Sequence, residues 1–341
     1  MKNRNKLLER IAATIKDYRT SDLPAPTSEH VDRWIRQFET DVQLPLLHEM
    51  HYVLARTYFS QSEVRRFFQS VAENQKLAGS KPRDFWHSVR LLDIQQEGNS
   101  QAEIRQLFSD SITRKYGITA GSGNASNNVF IYLDDVLFSG GRVGNDLSQW
   151  VIKQCPSSAT VHIVVIVAHH FGEYKCHSRL AQVARDAGKD VNFQFWAAKR
   201  VENRLAYSDK SEVLWPTDIP DDPALSDYMV QEKKFPFEPR ASGGQLQWPI
   251  FSSEAGRQLL ERELLLAGMH IRSLSREPSP ALRPLGFGPF GLGFGSMIVT
   301  YRNCPNNAPL ALWWGDPNAA PNHPFSRWYP LVQRRTYSTQ T

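Results

Sequence analysis

The sequence predicts an α/β fold in which a parallel sheet with flanking helices follows a helical N-terminal segment. Three observations carry this. Apolar residues recur at helical spacing through residues 1–86. Over residues 87–200, short apolar runs rich in β-branched residues alternate with amphipathic stretches, the pattern of a right-handed parallel core. The run 129–133 is apolar or aromatic throughout, as a strand covered on both faces requires.

The elements follow in order. Leu7, Leu8, Ile11, Ile15 and Tyr18 mark a first helix, and His30, Val31, Trp34, Ile35 and Phe38 a second. A third spans 44–59, with Pro24, Pro26 and Pro45 as punctuation between elements. Ser60 and Glu63 form a capping box before Val64, Phe67, Phe68 and Val71. Strands are expected over 89–94, 129–133, 161–168 and 191–197, and helices over 102–116, 141–153 and 173–187, the last stopped by Gly188. Six prolines interrupt 201–250, which reads as a lid, a partner-binding arm or a partly disordered segment. A helix over 253–269, a strand over 297–301 and an apolar segment over 310–314 follow. The expected organisation is a helical cap (1–86), an α/β core (87–200), a Pro-rich arm or lid (201–250) and a C-terminal helix and hood (251–341).

The 341 residues are 41% hydrophobic, enough for one large domain or two. A net charge of +5 suits phosphate ligands but is too diffuse to demand nucleic acid. Cys155, Cys176 and Cys304 have no metal-ligand spacing, and their odd number fits a reducing cytoplasm. No apolar run reaches membrane-spanning length, and no signal-peptide pattern follows Met1. His169, His170 and His177 lack the spacing of a metal cage, and neither a Gly-x-Ser-x-Gly elbow nor a Walker A lysine motif occurs.

The chemistry concentrates after the second core strand. Asp134 and Asp135 can accept from vicinal hydroxyls or help hold a hydrated divalent cation. Ser139, Gly140 and Gly141 let backbone N–H groups approach an anion where a helix begins. Sugar hydroxyls beside a phosphate describe a ribose 5-phosphate site. The alternative is an acid pair and glycine turn that merely start the helix.

The run 129–141 resembles the signature of the phosphoribosyltransferases: a hydrophobic strand, two acids, a spacer, then Ser-Gly over the 5-phosphate. It departs at Arg142, where that family usually has Thr or Ser; a guanidinium could supply charge in place of the hydroxyl. Phe138 stands where certain purine-specific members carry an Asp. The segment Asn303-Cys304-Pro305-Asn306-Asn307 with the aliphatic-Trp stretch after it resembles a phosphoribosyltransferase-like family of prokaryotic conflict systems, some encoded beside retron reverse transcriptases; Cys304 replaces the usual Thr.

The resemblance implies a Mg²⁺-dependent reaction on phosphoribosyl pyrophosphate, with Asp134 and Asp135 as catalytic acids at the ribose and the cation. Val136, Leu137, Phe138, Ser139, Gly140, Gly141 and Arg142 would surround the 5-phosphate. Gly98, Asn99, Ser100 and Gln101 would face pyrophosphate, although Ser100 and Glu103 also make a capping box. Lys199 and Arg200 would stabilise pyrophosphate charge, against the ordinary reading of solvated bases. Asn303, Asn306 and Asn307 would contact base or ribose, against the demands of any tight turn. Trp313 and Trp314 are expected in the core. The resemblance further implies an antiphage effector, a reverse transcriptase partner with its RNA–DNA hybrid, and a possible homo-oligomer. A non-catalytic sensor of phosphoribosyl pyrophosphate or a nucleotide, and a scaffold for protein or nucleic acid, stay open.

Overall fold

The structure, a computed structural model, describes residues 2–95, 100–123, 128–232, 235–245, 249–275, 278–279, 282–288 and 290–334. In chain order, α1 (Lys2–Thr14), α2 (Ser28–Ile35) and α3 (Thr40–Thr57) precede the short strand β1 (Tyr58–Phe59). Then come α4 (Gln61–Ala72), α5 (Gln75–Ala78), α6 (Pro82–Ser88), β2 (Arg90–Leu91) and α7 (Ser100–Tyr116). β3 (Val129–Leu137), α8 (Gly141–Lys153), β4 (Ser158–His169), α9 (His170–Asp186) and β5 (Asp190–Val201) follow. α10 (Pro223–Gln231), α11 (Glu254–Ser273), β6 (Val299–Thr300) and α12 (Leu310–Trp313) complete the order.

The chain divides into two compact units, Ser62–Val201 and Met1–Gln61 with Glu202–Thr341. The first division thus falls at 61/62, not at 86, because α4 to α6 pack with α7. Trp86 meets Phe108 at 5.2 Å, and its indole N–H donates to Ala72 O at 2.8 Å.

The Ser62–Val201 unit holds a parallel sheet in the order β2-β3-β4-β5, the expected α/β arrangement. β4 is buried from Val161 to Ala168, apart from a slightly accessible His162, which explains its continuous apolar run. Phe130 packs edge-on against Trp150 of α8 at 4.7 Å, fixing that helix on one face. β3 is longer than 129–133: it stays paired to β4 through Leu137↔Ala168, so both acids lie inside the strand. β2 is shorter than 89–94. Leu92 N–H still reaches Ile131 O at 2.8 Å, but Ile94 and Gln95 N–H turn to the Gln101 side chain and leave the sheet.

In the other unit, α1, α2, α3 and α11 enclose a core with Trp34, Leu260 and Leu264 fully buried. β1 pairs in parallel with β6. Pro45 lies within α3, which begins at Thr40 and tolerates the one hydrogen bond that proline removes.

The described part of the segment 201–250 contains one α-helix, α10. Asp222 caps α10 by accepting from Leu225 N–H at 2.8 Å, and Pro223 takes the first helical position. Arg257 donates to Ser211 O at 2.8 Å and Val213 O at 2.7 Å, and Glu261 accepts from Trp215 N–H at 2.8 Å. These bonds tie 211–215 to α11 within the same unit. No helix among the described residues is long and apolar enough to cross a membrane.

Candidate functional site

β3 delivers Asp134 and Asp135 at its C-terminal end, and the chain then turns through Phe138, Ser139 and Gly140 into α8. Asp134 is fully buried. Its Oδ1 accepts from Asp135 N–H at 2.9 Å, and Asp135 Oδ1 accepts from Val136 N–H at 2.8 Å, which fixes both carboxylates against their own backbone. Arg142, one residue into α8, folds back over the pair. Its Nη2 donates to Asp134 Oδ1 at 2.8 Å and Oδ2 at 2.7 Å, and lies 3.6 Å from Asp135 Oδ1. Burial pushes the Asp134 carboxyl up, to about 7, against the downward pull of the guanidinium. The acids in turn raise Arg142 above its ordinary range. The side chain expected to meet phosphate is thus engaged with the acids.

The loop into α8 depends on two glycines. Gly140 sits at φ +74°, and a Cβ there would lie 2.5 Å from Gly172 O and 2.9 Å from Cys176 Cβ. A Cβ on Gly172 would overlap the Phe138 carbonyl. Together they let the loop press against the first turn of α9. The α8 ladder starts with Gly144 N–H to Gly140 O at 2.9 Å, so the Gly141, Arg142 and Val143 N–H groups precede it, and Gly140 provides no side-chain cap. Such a terminus favours an anion.

His169 closes the loop from beneath. Its Nδ1 donates to Leu137 O at 3.2 Å, and its ring stacks on Phe138 at 5.0 Å. Burial lowers its pKa to about 3, so the ring is neutral. Tyr132 donates to Asp146 Oδ2 at 3.0 Å, bracing β3 against α8, and burial drives its phenol up. Burial pushes the Cys176 thiol up to about 12, making it a packing residue.

The other expected site residues fall in different settings. Gly98 and Asn99 lie outside the described residues, and Ser100 begins α7. Gln101 is buried: its Oε1 accepts from Ile94 N–H at 3.1 Å and Gln95 N–H at 2.9 Å, and its Nε2 donates to Leu133 O at 3.4 Å. This clamp, not an open pyrophosphate contact, is what the side chain forms. Lys199 and Arg200 stand at the same sheet edge as the acids, in register with Val167 and Ala168, which pair with Val136 and Leu137. Arg200 is bonded to Glu173 at 3.0 and 3.2 Å and to Phe195 O at 3.0 Å.

Asn303, Asn306 and Asn307 belong to the other unit. There Asn307 Nδ2 donates to Phe287 O and Asn306 O accepts from Phe287 N–H, both at 2.7 Å, so these two residues hold the Phe287 backbone. Trp313 is a core residue whose indole N–H donates to Ala308 O at 2.8 Å.

Sequence reasoning missed the partners of this site: the Arg142 fold-back, the Gln101 clamp, and the support from His169 and Gly172. The one available signal was Gly172, a glycine placed early in α9.

As a direct ligand, Asp134 does not fit a Mg²⁺ ion. Both Asp134 oxygens already face Arg142, and Oδ1 also takes a backbone N–H. Among the described residues, no group of three or more His, Cys, Asp or Glu side chains is placed to hold a metal.

A family model described as PRTase-CE matches residues 31–334. No curated protein and no solved structure gave a match.

Proposed function

The chain belongs to the PRTase-CE family, whose model supports a phosphoribosyltransferase-like function, and on that premise we propose that its acid-pair pocket binds phosphoribosyl pyrophosphate and transfers the phosphoribosyl group to an acceptor. The observation that carries this is the succession on β3 and α8: two backbone-fixed acids, a left-handed Gly140, and an uncapped helix start.

In this reading the protein works by position and charge. Asp135, the more accessible acid, accepts from ribose hydroxyls, while buried Asp134 holds Arg142 in place. As the bond to pyrophosphate breaks, positive charge grows on the ribose ring, and the two carboxylates stabilise it. Residues 138–141 receive the 5-phosphate, with Ser139 Oγ and the first N–H groups of α8 as donors. Lys199 meets departing pyrophosphate charge. The role as an effector in antiphage defence, beside a reverse transcriptase and its RNA–DNA hybrid, comes with this proposal through the resemblance of the 303–314 segment.

The test is isothermal titration with phosphoribosyl pyrophosphate and Mg²⁺, with pyrophosphate release followed in cell extract. Wild type binds and releases, and Asp134→Asn with Asp135→Asn does neither. Binding by a folded double variant at wild-type strength refutes the site. A non-catalytic sensor is the second reading, favoured by the closed Arg142–Asp134 pair, and binding without release would select it.

A further inference from the structure

We propose that Arg142 is the built-in cation of the acid pair, bridging Asp134 and Asp135 to an oxygen of a 5-phosphorylated ribose, so that the pocket takes this ligand class without a protein-held divalent ion. The inference rests on the phosphoribosyl reading of the pocket and deepens it.

One nitrogen makes all the acid contacts: Nη2 reaches both Asp134 oxygens and approaches Asp135 Oδ1. Among the described residues, Arg142 Nε and Nη1 make no hydrogen bond. The side chain is 47% exposed, whereas that of Asp134 is 1% exposed. The guanidinium therefore has a closed edge toward the acids and an open edge with donors to offer. A planar fork serves two sides in this way, and it stays charged at any working pH.

Arg142 also stands in the uncapped first turn of α8, so its open edge belongs to the same turn as the Gly141 and Val143 N–H groups. A phosphate received by those donors lies within the reach of that turn. A hydrated Mg²⁺ would do the same work, placing positive charge between carboxylates and ligand oxygens. At Asp134 it would need oxygens that the guanidinium already holds, and two cations so close repel.

The test titrates the full chain with ribose 5-phosphate, once in EDTA and once in excess MgCl₂. Phosphoribosyl pyrophosphate is run in parallel, and circular dichroism confirms folding. Wild type is expected to bind ribose 5-phosphate equally in both buffers, within about twofold. Arg142→Thr, which restores the family's hydroxyl, is expected to bind about tenfold or more weakly in EDTA and to regain affinity with Mg²⁺. If that variant does not fold, Arg142→Lys decides: it keeps the charge but loses the second edge, and is expected to bind more weakly in both buffers. Wild-type binding that strengthens about tenfold with Mg²⁺ overturns the proposal. So does undiminished binding by Arg142→Thr in EDTA or by Arg142→Lys. Binding of phosphoribosyl pyrophosphate only with Mg²⁺ overturns the cation role and leaves the phosphoribosyl site standing. Failure of folded wild type to bind either ligand removes both.

Discussion

Gly140→Ala tests whether the loop before α8 is as tightly specified as its geometry indicates. Two effects add. The left-handed backbone at φ +74° costs a residue with a Cβ about 1–2 kcal/mol. The new Cβ also meets the Gly172 carbonyl oxygen at 2.5 Å and Cys176 Cβ at 2.9 Å. Both belong to α9, which is packed against α8, so relief requires moving a helix; overpacking of this kind costs about 1–3 kcal/mol. The sum is a destabilisation of about 2–5 kcal/mol. Gly141→Ala is the internal control. There the Cβ meets only Ser139 Oγ, at 3.5 Å, and the backbone is not left-handed, so the change is neutral or stabilising by about 0.4–1 kcal/mol. Urea unfolding of both variants, followed by circular dichroism, measures the contrast. Unfolding free energies equal within about 0.5 kcal/mol would refute the reasoning, since that is the usual range for substitutions away from such features.

Other outcomes follow from the same structure. His169 is neutral in the fold down to about pH 3, whereas the unfolded chain protonates it below about 6.5. Its contribution is therefore complete above about 6.5 and falls as pH drops toward about 3, by up to about 1.4 kcal/mol per pH unit. His169→Asn, which can still donate to Leu137 O, should flatten this part of a stability–pH curve; an unchanged slope would count against a neutral buried ring. Glu261→Ala leaves Arg257 without its carboxylate, so an unfolding free energy lowered by about 3–5 kcal/mol in urea titration is expected; a surface-like loss under about 1 kcal/mol would return 211–215 to the status of a loose arm. Asn307→Ala removes the bond to Phe287 O and should lower stability by about 0.5–1.5 kcal/mol; lost ligand affinity at unchanged stability would instead make it a binding residue.

What was legible in the sequence was local. The strand, acid pair and glycine turn at 129–141 are contiguous, and each residue type answers a need of its own position. The parallel core was legible for the same reason, since its strands and helices alternate at regular spacing. The partners were not. Gln101 reaches Leu133 across 32 residues, and Arg142 reaches back across the loop to Asp134. Only the folded path brings those groups together. The six prolines of 201–250 read as breakers, yet Asp222-Pro223 is also a helix start, as α10 shows. Pro45 misled in the same way, because α3 had begun five residues earlier.

Two arginine–carboxylate pairs, Arg257–Glu261 on α11 and Arg142–Asp134 after β3, separate structure from function. In the α11 pair all three Arg257 guanidinium nitrogens are engaged: Nε with Glu261, Nη1 with Ser211 O and Nη2 with Val213 O. Both side chains are at most 3% exposed, so the pair is closed to a ligand from solvent. At the end of β3 the burial is one-sided. Asp134 is taken fully out of water at a desolvation cost that an apolar residue would avoid, while Arg142 stays half exposed with two nitrogens unengaged by the described residues. Stability alone would favour an apolar pair there or a closed one like that on α11. A buried carboxylate that holds an open guanidinium beside an uncapped helix start makes sense where a ligand's oxygens complete the set. The Arg142 variants therefore separate the two explanations: a structural pair would change the unfolding midpoint alone, whereas a ligand-completed pair changes affinity and its dependence on Mg²⁺.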